Sequence, residues 1–118
     1  MARDKGLDYL LDLDGEVFVE SNGYWHKIEA RLTDVTDERP HGISYCLTLH
    51  NERNERIFGI DNAHPVKSRR KGYRGRIVVY DHMHVDKNDR GTAYVFQNPE
   101  QLLKDFYDKV NEILSGVV

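Results

Sequence analysis

The chain reads as an α+β fold: an antiparallel meander sheet of five to six strands, a C-terminal amphipathic helix packed on one face, and a short N-terminal helix. Three observations predict this. The segment "GISYCLTLH" alternates cleanly, with Ile43, Tyr45, Leu47 and Leu49 on one side and Ser44, Cys46, Thr48 and His50 on the other, as a half-buried strand requires. Asn22-Gly23 separates two strand-like runs and supplies the positive backbone angles of a tight hairpin. Near the C-terminus, Asn98 and Pro99 announce a helix start ahead of a broad apolar stripe.

In chain order, Leu7, Leu10, Leu11 and Leu13 have a roughly helical spacing that Asp14-Gly15 stops, which predicts the N-terminal helix. "EVFVE" and "YWHKIEARLTD" flank residues 21–23 and make the first hairpin. "GISYCLTLH" is the next strand, "NERNE" a polar turn, and "RIFGID" a short strand ending at Asp61. A basic loop follows. "RIVVYDHMHV", residues 76–85, reads as one strand, "KNDRG" as a turn and "TAYVF" as the last strand. The final helix has Asn98 as N-cap, Pro99 in its first turn and Gln101 placed to close a capping box. Leu102, Leu103, Phe106, Tyr107, Val110, Ile113 and Leu114 form its stripe, which should cross one sheet face and leave the other for chemistry.

No repeat, linker or low-complexity tract divides the sequence, and 118 residues suit a single domain, 1–118, with one modest core. No apolar run is long enough to span a bilayer, and "MARDKGLDYLLDLDGE" is too acidic for a secretion signal, so the expected location is cytoplasmic, with no membrane partner. The single cysteine, Cys46, has no second thiol in the chain to pair with, which agrees with a reducing compartment. The net charge of −3 is uneven. Residues 67–76, "KSRRKGYRGR", carry six Lys or Arg and no acid, and removing those six charges leaves −9 for the rest. Such asymmetry points to a local anion-binding patch on an acidic body, or to a solvated loop.

Chemistry concentrates in "IFGIDNAHPVKSRRKGYRGRIVVYDHMHVD". On one strand over residues 76–85, Val78, Tyr80, His82 and His84 share a face, setting two imidazoles side by side. Ile77, Val79, Met83 and Val85 form the opposite, core row, and Asp81 interrupts it; a carboxylate there needs a partner, either a ring to orient or an arginine. Two readings follow. In the first, His82 and His84 are metal ligands completed by His64 or Asp61 of "DNAH", although one cysteine excludes the familiar zinc-finger spacings; no metal is favoured, with a divalent metal as the alternative. In the second, the chain cleaves RNA without a metal. Histidines titrating near neutral pH exchange protons with the 2′-hydroxyl and the leaving 5′-oxygen. Lys67, Arg69, Arg70, Lys71, Arg74 and Arg76 then clamp phosphates, and Tyr73 stacks on a base.

The other histidines carry less. His50 closes the polar face of its strand beside Thr48 and looks toward the same cleft; His41, between Pro40 and Gly42, reads as a loop residue; His26 alternates with Tyr24, Ile28 and Ala30 and reads as a satisfied, partly buried ring. Trp25, Lys27, Glu29 and Arg31 occupy the opposite face of that strand, as an ion network or as substrate contacts.

Taken in order, "LDGEVF", "NGYWHKIEAR", "PHGISYCLTLH", "GIDNAH", the basic loop, "YDHMH" and "EQLLKDFYDKVNEIL" resemble the TumE-like toxins of bacterial and archaeal toxin-antitoxin pairs, over nearly the whole chain. The resemblance implies a small toxin encoded beside a helix-turn-helix antitoxin that neutralises it. It places the family's motifs at Asp61, Asn62, His64, Asp81, His82 and His84. By analogy with other toxins of this size, the expected activity is that of a ribonuclease, with His82, His84 and His64 as the proton-transfer set and Asp61 or Asp81 orienting an imidazole. The acidic body departs from the basic character of many RNA-cutting toxins and leaves binding to one loop. Two alternatives stay open: a metal-dependent nuclease or hydrolase using His82, His84 and His64 as ligands, and a non-enzymatic nucleic-acid-binding regulatory module. Either edge of the meander leaves room for a homodimer.

Overall fold

The computed structural model describes residues 5–36, 40–62, 81–84 and 92–116, with only the backbone of Ser21, His82, Thr92 and Ala93. The described elements are α1 (Lys5–Asp12), β1 (Val17–Val19), a 3-10 turn (Ser21–Gly23), β2 (Trp25–Leu32), β3 (Ile43–His50), β4 (Arg56–Asp61), β5 (His82–His84), β6 (Thr92–Ala93) and α2 (Pro99–Ser115). The strands pair antiparallel in the order β1-β2-β3-β4-β5-β6, the meander that short polar turns between sequential strands produce.

The first hairpin turns where Asn22-Gly23 predicts, with φ of 62° and 80° at those two residues. Those angles are cheap only for Gly and tolerable for Asn. The turn after β3 is held by one side chain. Asn51 Oδ1 accepts the backbone N–H of Arg53 at 2.9 Å and of Glu55 at 3.0 Å, which lets Asn54 adopt φ 63°.

Both helices cover the same face. Ile28 and Ala30 of β2, all four apolar residues of β3, Phe58 and Ile60 of β4, Leu10 of α1 and Leu102, Leu103, Phe106 and Val110 of α2 form one buried cluster. Phe58 and Phe106 stack with centroids 5.8 Å apart, joining sheet to helix. His26 lies in this layer, 4 % exposed. Its Nε2 is 2.9 Å from the Tyr107 hydroxyl, its Nδ1 is 2.5 Å from Glu20 Oε2, and its ring stacks on Phe18. Burial lowers its pKa below the ordinary imidazole value, and Glu20 opposes this only in part.

Two local expectations change, and a third lies largely outside the described residues. The strand predicted over residues 76–85 is described as a ladder only over His82–His84; Asp81 precedes the ladder, and residues 76–80 and 85 lie outside the described residues. The last strand keeps only Thr92–Ala93, and beyond it Tyr94 and Phe96 pack toward the helical layer while Val95 stays exposed. There the Tyr94 hydroxyl donates to Asp105 Oδ2 of α2 at 2.6 Å, and the Phe96 ring lies 4.1 Å from that of His41. At the start of α2, Asn98 Oδ1 accepts the Gln101 N–H at 2.8 Å as expected. Gln101 instead sends its own amide to Asp105 Oδ1 at 2.7 Å, so the cap is one-sided. The predicted turn "KNDRG" lies outside the described residues.

Candidate functional site on the face opposite the helices

The strand register aligns the outward positions of four strands into rows. Glu29, Cys46, Asp61 and His82 are successive partners across β2 to β5, and Lys27, Thr48, Gly59 and His84 form the next row. Gly59 sits in a tight space here, since a Cβ would lie 3.2 Å from the Leu47 carbonyl and 3.4 Å from Thr48 Cγ2. On the diagonal between the rows, His84 Nε2 lies 3.2 Å from Asp61 Oδ2, with side-chain exposures of 9 % and 5 %. A carboxylate oxygen this close fixes the orientation of the imidazole ring. His82 is the backbone partner of Asp61, so two histidine positions and one carboxylate meet where β4 and β5 pair.

Asn62, next to Asp61, has a structural role. Fully buried, it accepts the Tyr45 N–H at 2.9 Å on Oδ1 and donates Nδ2 to the Ile43 carbonyl at 2.7 Å, while its own N–H reaches the Tyr45 carbonyl at 3.2 Å. These bonds clamp the end of β4 to the beginning of β3, and so hold Asp61 in place.

Asp81 belongs to a separate cluster. Its Oδ2 accepts the Tyr45 hydroxyl at 2.7 Å and lies 3.1 Å from His41 Nε2. The Ile43 N–H points at His41 Nδ1 at 3.3 Å, so Nδ1 is the acceptor and Nε2 carries the proton given to Asp81. The carboxylate therefore meets the need for a partner that the sequence implies, and the ring it orients is His41, which sequence reasoning left in a loop. Tyr45 belongs to the helix-covered face, so Asp81 and Asp61 serve different sides of the sheet. Burial first, and then the Asp81 hydrogen bond, push the Tyr45 hydroxyl far above its ordinary pKa. The only local signal for His41 is its neighbour Gly42, whose φ of 71° makes the turn; its partner lies forty residues away.

His50 shares the outward face. Its ring stacks on Trp25 at 3.9 Å and 8°, Nε2 is 2.9 Å from Thr48 Oγ1, and burial lowers its pKa. Burial, with the nearby Asp61 and Glu29 carboxylates, pushes the Cys46 thiol up to about 12, so it stays neutral at physiological pH. His64 and the anion-binding set Lys67, Arg69, Arg70, Lys71, Tyr73, Arg74 and Arg76 lie outside the described residues. Among the described residues, no group of three His, Cys, Asp or Glu side chains is placed to hold a metal, and no helix is long and apolar enough to cross a membrane.

No curated protein and no solved structure matches the chain. The family model described as toxin TumE matches residues 9–114, from α1 through nearly all of α2, and the chain belongs to that family.

Proposed function

We propose that this chain is the toxin of a toxin-antitoxin pair and acts as a metal-free ribonuclease through its outward sheet face. Membership of a toxin family supports the toxin role and implies an antitoxin partner. The observation that carries the catalytic reading is the buried His84–Asp61 pair beside the backbone partner of Asp61, His82. In this reading one imidazole takes the proton of a ribose 2′-hydroxyl as its oxygen attacks the adjacent phosphorus. A second imidazole protonates the departing 5′-oxygen, leaving a 2′,3′-cyclic phosphate and a 5′-hydroxyl. Asp61 holds the His84 ring as the carboxylate of a catalytic triad holds its histidine. His64, following in "DNAH", joins the proton-transfer set, and Lys67, Arg69, Arg70, Lys71, Arg74 and Arg76, with Tyr73, supply phosphate and base contacts. The antitoxin is of the helix-turn-helix type, and the setting is cytoplasmic.

Inducible expression tests this reading. Wild type should arrest growth, a neighbouring helix-turn-helix gene should relieve the arrest, and His84→Gln should abolish it while the purified variant keeps its fold by circular dichroism. Arrest that survives His84→Gln, His82→Ala and His64→Ala alike would point instead to a non-enzymatic binding module. Charge reversal at Arg69 and Arg70 should weaken RNA binding and flatten its salt dependence, and an unchanged slope would remove the loop from the account.

A further inference from the structure

A second feature of the outward face lies over β2 and β3, beside the His84–Asp61 pair. It is a half-open cleft of about 490 Å³ lined by Lys27, Glu29, Arg31, Ser44, Cys46 and the turn at Asp14-Gly15. That volume falls within the roughly 300–1,000 Å³ typical of small-ligand sites. Its floor is uncharged, because Cys46 remains a thiol and Ser44 a hydroxyl. On β2 its charges stand at alternate positions, with Glu29 between Lys27 and Arg31, and at its edge a second carboxylate, Asp14, has Oδ1 occupied by the Ala30 N–H at 2.9 Å. Strand geometry puts each cation about 7 Å along the chain from Glu29, and both side chains are long enough to fold toward it. Lys27 Nζ is 3.9 Å from Glu29 Oε1 with both groups substantially exposed, a loose surface contact that a ligand can replace.

A carboxylate flanked by two cations above a neutral floor matches a nucleoside with a phosphate on each side. The carboxylate also selects among bases. Guanine offers two adjacent donors, N1–H and the N2 amino group, to a two-oxygen acceptor. Adenine and cytosine place a ring-nitrogen acceptor beside their amino group, and uracil sets its one N–H between two carbonyls. Cys46 on the cleft floor is the cross-strand partner of Asp61, so the floor of the cleft lies about one strand spacing, ~4.8 Å, from the strand that carries Asp61.

We infer that this cleft is a guanosine subsite of the RNA-binding face, with Glu29 receiving the N1–H and N2 amino group of the base and Lys27 and Arg31 holding the phosphates on either side. The inference rests on the reading that the chain acts on RNA and adds base selection to it.

The test uses fluorescence anisotropy with 2′-deoxy oligonucleotides, which bind but lack the attacking hydroxyl, carrying guanine, hypoxanthine or adenine at one position in an otherwise thymine strand. Guanine should bind at least about tenfold more tightly than adenine, with hypoxanthine, which lacks the amino group, between them. Glu29→Gln, a change at an exposed side chain, should collapse that preference. Lys27→Ala and Arg31→Ala should weaken every strand alike and each lower the salt slope by about one. Equal affinity for guanine and adenine, or a preference that survives Glu29→Gln, would overturn the subsite. Guanine-selective binding without cleavage of the matching ribose strand would support the subsite and overturn only the ribonuclease reading. Binding to no strand at all would overturn both.

Discussion

At Asn62 one buried amide continues the β3–β4 ladder beyond the last paired residue, with its side chain on the Tyr45 N–H and the Ile43 carbonyl. Removing it strands a buried donor and a buried acceptor, each costing about 1–3 kcal/mol. Asn62→Ala should therefore lose about 3 kcal/mol in a urea titration, and a loss below about 1 kcal/mol would show that the clamp is dispensable. The same scale shows where sequence reasoning stops. Alternation placed His26 in the covered layer and His50 on the outward face, because each follows from its own strand. The His41–Asp81 pair joins a turn before β3 to the residue before β5, and nothing near His41 in the sequence signals a carboxylate forty positions on. Asp81 did signal its own need, since an acid in an apolar row must find a partner. Which partner it finds depends on strand order, and only the assembled sheet supplies that.

Among the elements, β3 and the start of α2 are the most legible, for local reasons. Every inward residue of "ISYCLTLH" is buried and every outward one is half-buried, the period-two pattern of a central strand with one face covered. At α2 the N-cap bond forms as the residue types require, and Asn98→Ala should cost about 1 kcal/mol. For a chain of this size that is a fall in melting temperature of roughly 4 °C, and an unchanged melting temperature would mean that water satisfies the Gln101 N–H equally well. The other half of the capping box fails through competition at short range. Asp105 lies one helical turn on, collects both the Gln101 amide and the Tyr94 hydroxyl, and so ties the segment after β6 to the helix. The strand predicted for residues 92–96 loses its last three residues beside the same contact, a tertiary pull that strand propensity does not register.

For the whole molecule, the buried His26 and the half-buried His50 contribute to the acid response. Burial lowers the pKa of both His26 and His50, so below the ordinary imidazole value near 6.5 the unfolded chain binds protons that the native state resists. The contribution is fully present above that value and is lost as pH falls toward the lower native pKa values. Melting temperature should fall from pH 7 to pH 5.5, and His26→Gln should flatten the fall; an equal slope in the variant would assign it elsewhere. The architecture as a whole separates labour between the two sheet faces. Both helices, His26 and the Tyr45–Asp81–His41 cluster stabilise one face, and the other carries Asp61, His84 and the nucleotide-sized cleft. The most direct test of that division is to incubate purified wild type and a folded Asp61→Asn variant with RNA in excess chelator and to determine the product ends. The expected result is chelator-resistant cleavage leaving 2′,3′-cyclic phosphate and 5′-hydroxyl ends, reduced at least about a hundredfold in Asp61→Asn. Cleavage abolished by chelator, or undiminished in Asp61→Asn, would contradict the account.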